Sequence, residues 1–361
     1  MRAPVLRNIG RPMIIEDVEL DPPQTGEVLV HMVASGVCHS CLYVWDGSVI
    51  GIPLPTVLGD EGAGIVSEVG PGVTKIQPGD HVILSWAPTC GRCRYCVSGR
   101  PVLCENQPPV GRLADGTLRM HAGDEEIFQY GGVYASEVVV PESCAIPIRR
   151  DMPLDKAALI GCSVMTGIGA VTRTADVPVG ASLAVFGCGG VGLNAVQGGV
   201  LAGAHPIIAV DVADTKLEMA MAMGATHGVR GDITDVGAAI RDIVHRGVEY
   251  AIVAVGNERA VQQAWSSLAP GATCVMAGIL PTGKTIALEA SKLESEVRLI
   301  GSCYGSARPS DDFPRLVDLY IAGKLRLDEL ITRRYGLDEV NEAHDALAAG
   351  GLSGRSILMY E

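Results

Sequence analysis

The first part of the chain alternates apolar and polar residues in short runs that are separated by glycine and proline. The runs EVLVHMVAS, GAGIVSEVG and HVILSW show this alternation between residues 27 and 86. A period of two, broken by turns every eight to twelve residues or so, is typical of half-buried strands in a β-barrel or sandwich. We therefore predict a barrel-like all-β domain over residues 1 to about 150, with residues 106–130 as a polar, irregular excursion.

Near residues 155–180 the pattern changes to continuous apolar runs that alternate with helical stretches. The runs LAVFG, IIAVD, YAIVAVG and TCVMAGI are separated by segments such as LEMAMAMGA and RAVQQAWSSL. Buried strands connected by helices indicate a doubly wound parallel sheet. The closing GRSILMYE predicts a strand that returns to the first domain. The chain is thus predicted to be an α/β protein with domains 1–163 and 164–302 and a C-terminal return over 303–361.

The composition argues against some classes of binding partner and indicates the cellular compartment. A chain of 361 residues, 48% of them hydrophobic, is long enough for two domains with sizeable cores. The formal charge of −13 argues against nucleic acid or an anionic membrane as a partner. The N-terminus lacks the apolar core of a signal peptide, and no run of about 18 apolar residues exists, so we expect no membrane span. With eleven cysteines and no export signal, we expect a cytoplasmic protein whose thiols bind metal or take part in catalysis.

Four cysteines in one short loop form the most specific motif of the chain. Cys90, Cys93, Cys96 and Cys104 have the spacing C-x2-C-x2-C-x7-C, which is compact enough to surround one tetrahedral Zn²⁺. The alternatives are two disulfides, which a chain without export signals disfavours, and an iron–sulfur cluster, for which ferredoxin spacings differ. Because four thiolates leave no open coordination position, we interpret this zinc as structural.

A glycine-rich turn between a strand and a helix predicts a dinucleotide site. The turn matches G-x-G-x-x-G, follows the apolar run SLAVF, and consists of Gly187, Cys188, Gly189, Gly190, Val191 and Gly192. Asp211 ends the next apolar run, 19 residues after Gly192. In this context the glycines admit a pyrophosphate and the acid binds ribose hydroxyls. Because the charge of Asp211 would repel a 2′-phosphate, we expect NAD rather than NADP. A glycine turn in a sheet without a cofactor is the alternative.

The motifs resemble, in order and spacing over essentially the whole chain, those of the zinc-containing medium-chain alcohol dehydrogenases. The resemblance rests on GVCHS (36–40), LGDEGAGIVSEVG (58–70), the four-cysteine loop, GCSVMTGIGAV (161–171) and GCGGVG (187–192). It implies an N-terminal GroES-like β-barrel catalytic domain with a structural zinc loop at 90–104, and a Rossmann domain for the cofactor. The segment ADGTLRMHAG (114–123) resembles the longer subgroup that includes thiol-dependent formaldehyde dehydrogenases and aryl-alcohol dehydrogenases.

By this resemblance Cys38 and Cys162 correspond to two ligands of a catalytic zinc, which implies two Zn²⁺ per chain. The family's third ligand is the histidine of a G-H-E motif, and Asp60 occupies that position here. A carboxylate oxygen also binds zinc. Cys41 replaces the aspartate that normally holds the histidine, so the two changes together indicate a retuned zinc site. A decayed site, or coordination by Cys41 or Glu61, are the alternatives.

The resemblance also assigns a proton path and cofactor contacts. Ser40 corresponds to the hydroxyl that takes the proton from the alcohol, and Tyr43 stands where many relatives have a relay histidine. With a phenol pKa of about 10, Tyr43 is a poor base near neutrality. Besides the glycine-rich turn and Asp211, the implied cofactor contacts are His39, Lys216, Val255 and Gly278.

Three further side chains fall at or beside the positions that line the alcohol pocket in relatives. They are Trp86, Phe128 and Met165, and Tyr43 lies beside the same positions. Each of them could instead belong to the ordinary core. A narrow apolar pocket would suit a primary aliphatic or aromatic alcohol.

These patterns lead to one preferred hypothesis and three alternatives. The preferred one is a cytoplasmic, NAD-dependent alcohol dehydrogenase that interconverts primary alcohols and aldehydes, and the resemblance implies a homodimer or homotetramer. The alternatives are an NAD(P)H-dependent reductase of an activated C=C or C=N bond whose zinc is no Lewis acid, a dehydrogenase of thiol adducts such as a hydroxymethyl thiol, and a non-catalytic NAD-binding protein.

Overall fold

The computed structural model describes residues 1–360 and divides into two compact units. One unit consists of residues 1–162 together with the segment from Arg308 onwards, and we refer to it as the discontinuous unit. The other, Ser163–Ala307, is the contiguous unit. The α/β class expected from the apolar patterning is confirmed, since strands dominate the first unit and strands alternate with helices in the second.

Short strands build most of the discontinuous unit, as the period-two pattern predicts. Its strands before residue 162 are β1 (Arg2–Leu6), β2 (Ile14–Asp17), β3 (Glu19–Leu20), β4 (Glu27–Gly36), β5 (Thr56–Val57), β6 (Gly62–Val69), β7 (His81–Leu84), β8 (Met120–Ala122), β9 (Glu125–Gln129), β10 (Glu137–Pro141) and β11 (Ala145–Ile148). The helices in this part are α1 (His39–Trp45), α2 (Arg94–Val97) and α3 (Leu154–Leu159). Along β4, Val28, Val30 and Met32 are buried while His31 is exposed, which is the alternation of a half-buried strand.

Residues 106–130 are more ordered than predicted. The end of this stretch forms the antiparallel pair β8 and β9, and β9 also pairs with β5. A buried ion pair fixes the segment before β8, because Arg119 donates to both carboxylate oxygens of Glu27 in β4, at 2.9 and 2.8 Å. The strands are too short for their alternation to be distinguished from an irregular polar loop in the sequence.

The contiguous unit is a doubly wound parallel sheet. It contains α4 (Met165–Gly169), β12 (Leu183–Phe186), α5 (Gly190–Ala202), β13 (Ile207–Asp211), α6 (Asp214–Ala222), β14 (His227–Arg230), α7 (Val236–Ile243), β15 (Val248–Val253), α8 (Glu258–Ser266), β16 (Leu268–Met276) and β17 (Arg298–Gly301). The strand order is β14-β13-β12-β15-β16-β17, and every pair is parallel. The order reverses at β12, which places the glycine-rich turn at the switch point where such sheets bind ligands.

The last part of the chain completes the sheets of the discontinuous unit. It contains α9 (Pro309–Ile321), β18 (Ile331–Gly336), α10 (Val340–Ala348) and β19 (Arg355–Met359). Strand β19 lies between β4 and β18 in a sheet of order β11-β7-β6-β4-β19-β18, in which β10 also pairs with β4. A second sheet has the order β2-β1-β5-β9-β8-β3.

One helical stretch, Leu154–Thr174, is long and apolar enough to cross a membrane by length and composition alone. However, 83% of its apolar window is buried inside the protein, which is the usual position of a core helix. The stretch is not a regular α-helix, because π-helical turns occur at Ile160–Val164 and Ala170–Thr174.

Candidate functional site

Three separate segments of the discontinuous unit bring Cys38, Asp60 and Cys162 together. Cys38 directly precedes α1, and Asp60 lies between β5 and β6. Cys162 lies in the π-helical turn Ile160–Val164, which follows α3. Such a turn interrupts the regular spacing of an α-helix and re-aims its side chains, and π-helical turns are frequent at functional sites.

Gly59 determines the conformation of the backbone immediately before Asp60. Its φ of 110° favours glycine, and a Cβ there would come within 2.6 Å of the Tyr134 ring and 2.7 Å of the Tyr134 nitrogen. The amide of Tyr134 donates to the carbonyl of Leu58 at 2.9 Å, and the amide of Val133 donates to that of Gly59 at 3.3 Å. The loop that carries Asp60 is therefore held in a fixed register against residues 133–134.

The three side chains have the geometry of a metal site. The sulfurs of Cys38 and Cys162 are 3.9 Å apart, and Asp60 Oδ2 lies 3.9 Å from Cys162 Sγ. One ligand atom from each of the three lies within 4.8 Å of the others, and each residue is at most 8% exposed. Tetrahedral zinc with ordinary Zn–S and Zn–O bonds separates its ligands by about 3.6–3.8 Å. The residues thus fit zinc, and three protein ligands leave one coordination position open, as in catalytic sites.

Burial makes the unliganded cluster costly to ionise. It raises the pKa of Asp60, whereas the hydrogen bond from Ser40 opposes that rise. The pKa of Cys162 is raised first by its hydrogen bond with Cys38 and then by burial. A divalent cation reverses this balance, because it stabilises thiolates and carboxylate and displaces their protons.

Ser40 contacts the cluster directly. Its hydroxyl donates to Asp60 Oδ2 at 2.5 Å, and the residue is 9% exposed. Cys41 contacts the other carboxylate oxygen, with Sγ 3.8 Å from Oδ1. Glu61 points elsewhere, since its carboxylate accepts a hydrogen bond from Arg355. The described cluster therefore consists of Cys38, Asp60 and Cys162, while Cys41 contacts the carboxylate of Asp60 and Glu61 pairs with Arg355.

The buried pair of Glu61 and Arg355 is a feature that sequence reasoning missed. The Arg355 side chain is 5% exposed and that of Glu61 is fully buried. Burial alone would lower the pKa of Arg355, but Glu61, followed by the two thiols and Asp60, outweighs it and the pKa is raised. The available signal was an arginine at the start of the apolar strand GRSILM, although nothing in the sequence identifies its partner, 294 residues away.

Replacing Arg355 with methionine is expected to lower the free energy of unfolding by about 3 kcal/mol, because it leaves the Glu61 carboxylate buried without its cation. Urea-induced unfolding of the zinc-loaded protein measures the change. The double variant Glu61→Gln/Arg355→Met, which removes both charges, should recover part of the loss. A single variant as stable as the wild type would contradict this account of the pair.

The four-cysteine loop forms a second cluster in the same unit. The ligand atoms of Cys90, Cys93, Cys96 and Cys104 all lie within 4.8 Å of one another, with Cys93 and Cys104 sulfurs 3.9 Å apart. Backbone amides point at several sulfurs, and the Arg92 amide, followed by the Asn106 side chain, lowers the pKa of Cys90 to about 6. None of the eleven cysteines, all of which lie within residues 1–360, forms a disulfide.

In the contiguous unit the glycine-rich turn lies between β12 and α5. Gly187 has φ 88°, and a Cβ on Gly192 would come within 1.7 Å of the Gly187 carbonyl oxygen, so the helix approaches the strand more closely than any side chain allows. The amide of Cys188 donates to Asp211 Oδ2 at 2.7 Å, and the amide of Ala213 donates to Oδ1 at 3.0 Å. The acid that ends β13 is thereby fixed beside the turn.

The remaining predicted cofactor residues occupy several places. Lys216 is half-buried on α6, and Val255 is 36% exposed after β15. Gly278 follows β16, where a Cβ would come within 2.5 Å of the Val255 backbone. His39 is exposed at the start of α1 in the discontinuous unit.

The predicted pocket residues differ in their burial and in the contacts that they make. Tyr43 is half-buried with its ring edge-on to His39 at 5.7 Å, and burial raises its phenol pKa. Trp86 is 37% exposed, and the Arg112 guanidinium lies 5.1 Å above the Phe128 ring. Met165 is buried in the contiguous unit, where it packs against Gly169. Phe128 and Met165 therefore have clear packing roles.

Two family models match the chain. The alcohol dehydrogenase GroES-like domain matches residues 24–150, and the zinc-binding dehydrogenase model matches residues 190–322. The NDMA-dependent alcohol dehydrogenase of Amycolatopsis methanolica is 38% identical over 99% of this chain and 98% of the relative. The S-(hydroxymethyl)glutathione dehydrogenase of Paracoccus denitrificans is 37% identical over 99% of both chains.

A solved structure gives the same result for the fold. The benzyl alcohol dehydrogenase of Acinetobacter calcoaceticus is similar with a TM-score of 0.94 and 31% identity, over 100% of this chain and 99% of that one. The family models, the relatives and the two clusters of metal-binding side chains all indicate the same family. The chain belongs to the zinc-containing medium-chain alcohol dehydrogenases and is an oxidoreductase that acts on CH–OH groups.

Proposed function

We propose that the protein interconverts primary alcohols and aldehydes with NAD, using a catalytic zinc held by Cys38, Asp60 and Cys162. The observation that carries this proposal is the buried cluster of three ligands with the Ser40 hydroxyl bonded to it. When bound, zinc supplies Lewis-acid polarisation of a substrate oxygen and the nicotinamide supplies the hydride acceptor. The chain's own residues hold these groups and move the proton.

Ser40 is the proposed relay of the substrate proton, because its oxygen can accept that proton while its own proton is released to the next acceptor. Its own proton points at Asp60 Oδ2, so its lone pairs remain available to accept from a substrate hydroxyl. Tyr43 is a weak second acceptor, because burial raises its pKa above the ordinary value of a phenol. Proton exchange with solvent through Tyr43 would therefore be slow near neutral pH.

A steady-state screen tests the proposal. The zinc-loaded protein is incubated with aliphatic and benzylic primary alcohols and with the matching aldehydes, each with NAD(H) and with NADP(H). We expect turnover of primary alcohols and aldehydes with NAD(H). No turnover of any alcohol or aldehyde would overturn the proposal in favour of a reductase of C=C or C=N bonds or of a non-catalytic NAD-binding protein.

A thiol adduct is the second candidate substrate. Its support is the similarity to the Paracoccus denitrificans relative, which is named for S-(hydroxymethyl)glutathione. Formaldehyde with and without glutathione belongs in the same screen. Oxidation of formaldehyde that depends on glutathione, at a kcat/KM above that of every simple alcohol, would favour the thiol adduct over primary alcohols.

Replacing Asp211 with serine is expected to lower the preference for NAD over NADP at least about 10-fold, since it removes the negative charge that a 2′-phosphate would meet. Serine keeps a hydrogen-bond acceptor for the two amides that Asp211 now holds. The ratio of kcat/KM for the two cofactors measures the effect.

Asp214→Ser provides the matched control, because Asp214 is a neighbouring acid whose partner is the surface residue Arg230. Its cofactor preference should equal that of the wild type. A wild-type protein that prefers NADP would contradict the role given to Asp211.

We further propose two zinc ions per chain, a cytoplasmic location and a homodimer or homotetramer. Two separate clusters of metal-binding side chains support the first. Eleven thiols without a disulfide within residues 1–360 are typical of a reducing compartment. The edge strand β17 exposes Arg298, Leu299 and Gly301, and edge strands are sites where a second copy can pair. Metal analysis measures the zinc content per chain, and light scattering measures the number of subunits.

A further inference from the structure

The two oxygens of the Asp60 carboxylate face different surroundings. Oδ2 accepts from Ser40 and lies 3.9 Å from the Cys162 sulfur, so it is the oxygen turned towards the other metal-binding groups. Oδ1 instead contacts Cys41, whose Sγ lies 3.8 Å away. A carboxylate rotates easily about its last torsion angle, so a group that holds Oδ1 decides which oxygen is presented to a metal.

A chain of buried polar side chains continues behind Cys41. The hydroxyl of Tyr134 lies beside the Cys41 thiol and 3.3 Å from His344 Nε2. The rings of Tyr134 and His344 also meet edge-to-face, with centroids 5.7 Å apart. Cys41 and Tyr134 are fully buried and His344 is 2% exposed. Water therefore does not compete for these hydrogen bonds.

The protons of this series of side chains can all point towards Asp60. Burial, and then the nearby His39, lower the pKa of His344 to about 4, so its ring is neutral and carries one N–H. Nδ1 of His344 has no hydrogen-bond partner among residues 1–360, so placing the proton on Nε2 avoids a buried unpaired N–H. Nε2–H then donates to the Tyr134 oxygen, the Tyr134 proton can point at the neighbouring Cys41 sulfur, and Cys41 donates to Oδ1.

Backbone contacts hold this series of side chains in place against the metal-binding loop. Tyr134 donates its amide to Leu58, two residues before Asp60, and its ring fills the space that only glycine leaves free at position 59. His344 reaches Tyr134 from α10, which is part of the same unit. The hydroxyl of Tyr134 therefore has little freedom to move away from Cys41.

We propose that Cys41, Tyr134 and His344 are positioning residues that fix Asp60 with Oδ2 towards the zinc. They donate in series to the outer oxygen of the carboxylate, as a hydrogen-bonding partner does behind a histidine ligand. Successive donors polarise one another, so the chain stabilises the carboxylate more than Cys41 alone would. This inference depends on the proposed role of Asp60 as a zinc ligand.

The test measures zinc affinity rather than turnover. Tyr134→Phe removes one oxygen and keeps the ring, and the occupancy of each zinc equivalent is then titrated in full-length protein at buffered free-zinc concentrations. We expect the affinity for the second equivalent to fall about 10-fold, the usual effect of losing such a partner. The equivalent bound by the four cysteines should not change, which also shows that the unit is folded.

Tyr335→Phe is the matched control, because Tyr335 is a buried tyrosine of the same core whose hydroxyl contacts Arg333 instead. It should leave both equivalents unchanged. Wild-type affinity in Tyr134→Phe, or an equal loss in Tyr335→Phe, would overturn the inference while leaving the zinc proposal intact. A wild-type protein that binds only one zinc would instead refute the zinc role of Asp60, and this inference with it.

A second measurement tests whether the residues act in series. Cys41→Ala removes the side chain that contacts Asp60 and so interrupts the hydrogen-bonded series. Adding Tyr134→Phe to it should therefore weaken zinc binding no further. Losses that add up in the double variant would show that Tyr134 acts independently of Cys41 and would overturn the series arrangement.

Discussion

Replacing Asp60 with alanine is expected to reduce the zinc content from two to one per chain and to lower kcat/KM for alcohol oxidation about 1000-fold or more. Only the thiols of Cys38 and Cys162 would remain at the site, and two protein ligands hold catalytic zinc poorly. Lewis-acid polarisation contributes several kcal/mol to transition-state stabilisation, and each 1.4 kcal/mol or so corresponds to a factor of ten in rate. Metal analysis and steady-state kinetics on the same preparation measure both quantities.

Asp312→Ala is the matched control for this variant. Asp312 is a buried carboxylate of the same unit, 6% exposed, that accepts from the Arg308 amide at 2.7 Å and lies outside both metal clusters. It should keep two zinc ions and nearly all activity. If Asp60→Ala also kept two zinc ions and wild-type turnover, Asp60 could not be a zinc ligand and the carboxylate would need another explanation.

Replacing Cys104 with alanine is expected to unfold the lobe of residues 90–104 while the rest of the discontinuous unit stays folded. Helix α2 in this lobe has no buried residue, and the ion pair of Arg94 with Glu105 is exposed. Metal binding is thus the main source of its stability, and structural zinc in small peptides contributes about 10–16 kcal/mol. We expect trypsin to cut at Arg92 and Arg94 about 1000-fold faster, because cleavage follows the population of the open form.

The control removes a thiol that belongs to neither metal cluster. Cys144 is buried, at 4% exposure, in the same unit, so Cys144→Ala should leave the tryptic sites in the lobe protected and the zinc content at two. Equal cleavage of the lobe in the two variants would mean that the loop is held by its packing rather than by metal. The hydrogen bond from Arg308 to the Gly99 carbonyl, at 3.0 Å, would then be the first contact to examine.

Features that depend on neighbouring residues could be predicted from the sequence. The four cysteines and the glycine-rich turn are continuous motifs, so their spacing alone indicates one metal-binding loop and one strand-turn-helix. The apolar runs before Gly187 and before Asp211 became β12 and β13 for the same reason. Strands of two to five residues, such as β5 and β9, carry too few positions for a period to be recognised.

Features that depend on distant pairs could not be predicted. Asp60 was singled out only through the family resemblance, and its contact with Cys41 is visible only in three dimensions. Tyr134 and His344 lie 210 residues apart, and in the sequence each is an ordinary aromatic residue in an apolar setting. A single sequence contains no record of such pairing, because hydrophobic periodicity defines faces of elements and not their partners.

The position of β19 has a consequence for the order in which the protein assembles during synthesis. This strand occupies the space between β4 and β18, yet it follows the whole contiguous unit along the chain. The discontinuous unit can complete this sheet only after β19 has emerged from the ribosome, and by then the contiguous unit has been synthesised in full. Arg355 arrives with the same strand. The negative charge of Glu61 therefore stays without its buried cation until β19 has emerged and joined the sheet.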